Sequence, residues 1–160
     1  MISTIKKIII MLCFLSNSAN AQEQIKTLSV GSGEINIDYY YSYGCEDCLK
    51  YSETLFQMAK KDLITLNLYN ISAEDQLGSL LEYVLIDYYK DNIVEFEALH
   101  RNLLRNDGKT ILKRLSKVDT LAYTHFKKTY KSINWEQRNI LISILIDELN
   151  IEKTPFLIKK

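Results

Sequence analysis

The chain has 160 residues, 47% hydrophobic and 25% charged, with 20 basic and 20 acidic side chains. That length fits one domain with a real core, and the composition excludes a disordered chain. The balanced charge gives no basic surface for nucleic acid, and with only 5 glycines and 1 proline a largely helical protein is expected.

Lys6 and Lys7, the apolar run Ile8–Leu15 and Ala19-Asn20-Ala21 follow the charged, apolar, small-x-small order of a secretory signal. Residues 1–21 are therefore read as a signal peptide cleaved near Ala21, with an apolar run too short to span a bilayer. Cys13 lies inside that run behind Leu12, not behind the small residue of a lipoprotein site, and is expected to leave with the signal. The mature chain then keeps 18 basic and 20 acidic side chains, net −2, and two cysteines, Cys45 and Cys48. In the oxidising compartment of an exported protein, an isolated pair is more often redox-active or disulfide-bonded than a metal clip.

Residues 22–33 are polar apart from Leu28–Val30, end in Gly31-Ser32-Gly33, and read as an arm leading into a single domain over 22–160. Ile35–Tyr43, dominated by β-branched and aromatic residues, predicts the first strand, which Gly44 ends. A helix follows over about 46–61, acidic in its first turn (Glu46, Asp47) and basic in its last (Lys60, Lys61), with Leu55, Phe56 and Ala59 on its buried side. Leu63–Ile71 alternates apolar and polar residues from Ile64 and predicts a second strand, completing a βαβ unit.

Helical spacing then takes over from about 72 to 150. Ser72 is a candidate cap for a helix carrying Leu77, Leu80, Leu81, Val84, Leu85 and Tyr88. Ile93, Phe96, His100, Leu103 and Leu104 mark a second helix, closed by the Asn106-Asp107-Gly108 turn, and a short segment at Ile111–Leu115 follows. Val118, Leu121, Ala122, His125 and Phe126 mark a fourth, and Asn134 with Gln137 resembles a capping box opening a fifth. That last helix is apolar on nearly every side from Ile140 to Leu149 and is expected to be the buried centre of the helical part. Lysine and glutamate clusters read as solvated helix faces. The chain's only proline, Pro155, opens a short apolar strand.

The chemistry centres on Cys45-Glu46-Asp47-Cys48, where the first strand gives way to a helix. A thiol at a helix N-terminus is stabilised as thiolate by free N–H groups and the macrodipole, so Cys45 is the candidate attacking thiol and Cys48, one turn in, the resolving one. Two carboxylates beside a thiolate raise its pKa and make the disulfide less oxidising, so a mild oxidant is expected. Zinc requires four ligands, and beyond the two thiols the chain offers only His100 and His125 on apolar helix faces, so no metal or other cofactor is expected. A purely structural disulfide stays open as an alternative, although so short a loop restricts the unfolded chain little. The five tyrosines from Tyr39 to Tyr51 read as strand core and rim before a client-binding surface.

The signal, the strand running through Ser42-Tyr43-Gly44 into Cys45-Glu46-Asp47-Cys48, the helical stretch after the second strand, and Thr154-Pro155 before a final strand together resemble the DsbA-type thiol:disulfide oxidoreductases of the thioredoxin superfamily. The resemblance implies an α/β fold: a small mixed sheet with a large helical insertion between the second strand and the Thr-Pro strand. It implies a periplasmic or secreted enzyme that exchanges its disulfide with thiols of exported proteins and is reoxidised by a quinone-linked membrane oxidase. It also implies a cis Pro155 packed near the disulfide and a Thr154 backbone that pairs with client peptide.

Three departures accompany the resemblance. Glu46-Asp47 stands where the family has Pro-His. Tyr39 holds the place of a buried acid six residues before the first cysteine, and Asp38, one residue off, should face the other side of the strand. The chain stops five residues past Pro155, so a C-terminally truncated domain is expected, with about three strands, one poorly covered face and an open edge. The alternative function is an inactive thioredoxin-like remnant that keeps a structural disulfide or only binds peptides.

Overall fold

A computed structural model describes residues 25–72 and 76–160. The signal assigned to 1–21 lies outside the described residues. Four strands form one mixed sheet: β1 (Lys26–Val30), β2 (Ile35–Tyr41), β3 (Ile64–Asn70) and β4 (Phe156–Lys159), in the spatial order β1-β3-β2-β4. Helix α1 (Glu46–Lys60) connects β2 to β3, which lie parallel with Ile37 beside Leu66 and Tyr39 beside Leu68. Between β3 and β4 come α2 (Gln76–Tyr89), α3 (Ile93–Arg105), α4 (Gly108–Val118), α5 (Thr120–Thr129), a 3-10 turn (Tyr130–Ser132) and α6 (Trp135–Leu149). This is the expected α/β architecture, a small mixed sheet with a helical insertion ahead of the Thr-Pro strand.

The helix boundaries follow local capping chemistry. The side chains of Asn92, Asp107, Asp119 and Asn134 accept hydrogen bonds from backbone N–H groups at the starts of α3, α4, α5 and α6. Asn134 accepts from Gln137 N–H at 3.1 Å, as the capping-box pattern predicted. Asn150, with φ of +51°, closes α6 in the left-handed conformation. At Gly108 a Cβ would come within 2.2 Å of the Gly78 backbone nitrogen, so α4 and α2 touch through bare backbone. Ser72, expected to cap a helix, lies four residues ahead of Gln76, and its hydroxyl accepts the Tyr43 N–H at 2.8 Å.

Three expectations about packing are corrected. Residues 26–30 are not part of a loose arm: they form β1, which pairs antiparallel with β3, Leu28 opposite Leu68 and Val30 opposite Leu66. The sheet therefore has four strands, because Leu28 and Val30 complete an apolar ladder that the mostly polar residues around them obscure in sequence. Helix α6 is not a buried centre: Arg138, Ile142 and Leu145 are buried along one stripe, whereas Ile140 and Ile144 are 56% and 37% exposed. That stripe covers the sheet face expected to be bare, packing Ile142 and Leu145 with Ile25, Tyr40, Tyr69, Ile71 and Ile151.

The opposite face carries the larger core. Tyr39, Tyr41, Leu66 and Leu68 meet Leu55, Phe56 and Ala59 of α1, Leu81, Val84 and Leu85 of α2, and Phe96 and Leu103 of α3. Each such leucine, valine or phenylalanine, fully buried, contributes roughly 1.5–3 kcal/mol from apolar surface removed from water.

Candidate functional site

Strand β2 runs out at Tyr41, and Gly44 takes φ of +77°, a left-handed turn that a glycine enters without steric cost. That turn delivers Cys45 to the N-cap of α1, where its sulfur accepts the Cys48 N–H at 3.1 Å. Cys45 and Cys48 are joined in a disulfide, with Cα atoms 5.2 Å apart. Their environments differ: Cys45 is half-buried, while Cys48 is fully enclosed in the core beneath it. An incoming sulfur therefore reaches Cys45 first. Glu46 and Asp47 between them are exposed in the first turn, where carboxylates favour the positive end of the helix, and Asp47 pairs with Lys50 at 3.4 Å.

The strand beneath supports the second cysteine. Tyr39, six residues before Cys45, donates its hydroxyl to the Cys48 carbonyl at 2.6 Å. Burial, with a smaller push from the Glu82 charge, raises the Tyr39 phenol far above its ordinary value, so it remains a neutral donor. Asp38 points the other way, as strand alternation requires: it is fully buried, pairs with Lys160 at 2.5 Å and accepts from Asn67 Nδ2 at 2.9 Å. Tyr39, Tyr40, Tyr41 and Tyr43 are all buried, in keeping with core and rim, and Tyr51 is 48% exposed.

The final strand brings the other two expected site residues to the same end of the sheet. β4 runs antiparallel to β2 with Tyr40 opposite Phe156, and continuing that register sets Pro155 beside Tyr41 and Thr154 beside Ser42. The hydroxyls of Ser42 and Thr154 are 2.6 Å apart, and the Thr154–Pro155 peptide bond is cis.

Behind this end of the sheet lies a buried polar cluster that sequence reading missed. Glu82 of α2 is fully buried; its Oε2 accepts from the hydroxyls of Tyr41 at 2.7 Å and Tyr43 at 2.6 Å and from Asn70 Nδ2 at 2.8 Å. Its Oε1 lies 2.7 Å from His100 Nδ1. Burial alone would raise this carboxyl, but the hydrogen bond and charge of His100 and the two tyrosine hydroxyls outweigh it and hold Glu82 below its ordinary value of 4.5. Arg138 reaches the same cluster from α6, donating to the Asn70 carbonyl at 2.9 Å while its guanidinium lies 5.0 Å from the Trp135 ring centre. One signal marked Glu82 in advance: with Gly78, Leu81, Leu85 and Tyr89 it occupies a single helical stripe, so it is not one of the solvated glutamates. His125 is elsewhere, its ring 5.5 Å from that of Tyr88. Among the described residues no three histidine, cysteine or acidic side chains gather as a metal site would need, and no helix is long and apolar enough to cross a membrane.

No protein-family model and no curated protein matches the sequence. Solved structures do match. The thiol-disulfide exchange protein alpha-DsbA2 from Wolbachia pipientis superposes with a TM-score of 0.60 at 18% identity, over 92% of this chain and 85% of its own. The catalytic domain of Proteus mirabilis ScsC gives 0.60 at 16% identity, over 91% and 84%. BdbD from Bacillus subtilis in its oxidised form gives 0.58 at 14% identity, over 85% and 82%. The fold is that of a DsbA-type thiol-disulfide oxidoreductase. Within that DsbA-type fold, the Cys45–Cys48 disulfide, the Ser42 turn and the Thr154–Pro155 segment share one end of the sheet, and Tyr39 with the Glu82 cluster underlies them.

Proposed function

We propose that this chain is an exported thiol:disulfide oxidoreductase that exchanges the Cys45–Cys48 disulfide with thiols of secreted proteins. The observation that carries the reading is the asymmetry of the pair: Cys45 is half-exposed at the first turn of α1, and Cys48 is buried under it. A client thiolate attacks Cys45 Sγ, the Cys45–Cys48 bond breaks, and Cys48 leaves with the electron pair as a thiolate that takes up a proton. The client's second thiolate then attacks its own sulfur in the mixed disulfide and expels Cys45, leaving the client oxidised by two electrons and the enzyme as a dithiol. In the opposite direction Cys48 resolves the mixed disulfide. Thr154 and Pro155 are the substrate-contact residues, with a client strand pairing along the Thr154 backbone.

Glu46 and Asp47 beside the pair disfavour the Cys45 thiolate and so make this a mild oxidant. The dithiol would be returned to the disulfide by a quinone-linked membrane oxidase, and the site of action is the periplasm or the exterior after cleavage near Ala21. The DsbA-type fold supports the class of reaction, and the signal pattern supports export.

The test is a thiol-alkylation titration across glutathione ratios, with Cys45→Ser as control and Cys48→Ser as the trap. The expected result is a measurable dithiol–disulfide equilibrium together with a Cys48→Ser mixed disulfide carrying client peptide. A pair that resists reduction at every ratio, with no trapped species, would instead assign Cys45–Cys48 a structural role.

A further inference from the structure

We propose that Ser42 is a positioning residue of this redox site, holding Thr154 in register with the segment that carries Cys45. The inference rests on the oxidoreductase reading and goes beyond it, because neither the cysteine motif nor the Thr-Pro pair assigns Ser42 a task. Its hydroxyl is 2.6 Å from that of Thr154, and the two stand opposite one another where the β2–β4 ladder would continue past Tyr40 and Phe156.

The two partners are not equally anchored. Ser42 sits between buried Tyr41 and Tyr43 on backbone that is tied down on both sides: the Tyr41 carbonyl accepts the Ile71 N–H at 2.9 Å, and the Tyr43 N–H donates to Ser72 Oγ at 2.8 Å. Thr154 sits in the non-regular connection between α6 and β4. Ser42 is thus the partner tied down through the backbone of both its neighbours. Three residues after Ser42, through the left-handed turn at Gly44, the same segment presents Cys45. A client strand lying along the Thr154 backbone is thereby aligned with the sulfur it must attack. Both partners are neutral, so the alignment carries no salt dependence of its own.

The experiment is steady-state oxidation of a short peptide dithiol, with excess oxidised glutathione returning the dithiol form to the disulfide, by the purified protein and by Ser42→Ala, Thr154→Val, the double variant and Ser42→Thr. Loss of one neutral hydrogen bond predicts a KM raised about fivefold in Ser42→Ala with kcat held within about twofold. Thr154→Val should match it, the double variant should be no worse than either single one, and Ser42→Thr should return KM close to the starting value. A KM unmoved in Ser42→Ala, or effects of the two substitutions that multiply in the double variant, would overturn the role of Ser42 while leaving the oxidoreductase reading intact. Absence of turnover in the unsubstituted protein would overturn that reading, and this proposal with it.

Discussion

Tyr39 and Tyr41 point to one face of the sheet and Tyr40 to the other, and the two faces are held by different chemistry. On the first, Tyr41 and Tyr43 end on the carboxylate of Glu82, and His100 and Asn70 complete its set of partners. On the second, Tyr40 stacks on Tyr69 at 4.7 Å, leans on Phe156 at 5.9 Å, and is closed over by Ile142 and Leu145 of α6. Its ion pair, Asp38 with Lys160, lies nearer the other end of β2. Directional hydrogen bonds to one buried charge add a dependence on single atoms to the larger apolar core of the first face, whereas on the second face area and shape distribute the stabilisation over many contacts. The proposed redox site stands on the directional side, since Tyr39 stacks on Tyr41 at 5.3 Å and donates to the Cys48 carbonyl.

The comparison breaks most visibly at Glu82. Glu82→Ala removes the carboxylate that two phenols, an amide and an imidazole share in the core and should cost about 3–5 kcal/mol, against the roughly 5–15 kcal/mol that holds a domain folded. Urea-induced unfolding followed by circular dichroism would register it, and a loss below 1 kcal/mol would mean that water satisfies the cluster. Ile142→Ala on the apolar face should cost about 3 kcal/mol through lost burial and a cavity. The loss should be the same at every pH, and adding Tyr39→Phe across the sheet should be additive in the same melts.

A smaller effect separates the faces by pH. Because the folded-state pKa of Glu82 lies below its ordinary value of 4.5, its contribution is complete above that value and is lost as pH falls through the folded one. Wild type should therefore lose more stability in that acidic window than Glu82→Gln, and the two curves should run parallel above it. Stability curves that stay parallel throughout would show that Glu82 does not titrate with folding. Tyr39→Phe removes only the hydroxyl on Cys48 and should cost about 1 kcal/mol by thermal melting. Smallest is Glu53→Gln, which deletes exposed pairings to Arg105 at 3.2 Å and Arg101 at 3.8 Å and should stay within about 0.5 kcal/mol.

Much of this molecule was legible one segment at a time. Ile35 begins the strand and Glu46 the helix where the residue patterns placed them, and Leu55, Phe56 and Ala59 are buried as their spacing required. The segment at 26–30 was hidden because its strand character exists only beside β3. Helix α6 misled for the opposite reason: an all-round apolar composition suggests full burial, yet this helix has only one face against the sheet and leaves Ile140 in solvent. Of the candidate site, the cysteines and Thr154-Pro155 were readable as a pattern; Ser42 was not, because a lone serine near a turn carries no local sign of a partner 112 residues away.

By itself the sequence determined the order of the strands and helices after β1, the cap at Asn134, and the delivery of Cys45 to a helix N-terminus. Those outcomes depend on residues within a turn or two of one another, where period, capping and glycine geometry act. Tertiary structure alone decided which partners Glu82 finds in the core, that Asp38 finds Lys160, that α6 closes the second face, and that Ser42 meets Thr154. Each of those requires two distant segments to share one space, and a buried polar group is tolerable only once the fold has supplied its partner.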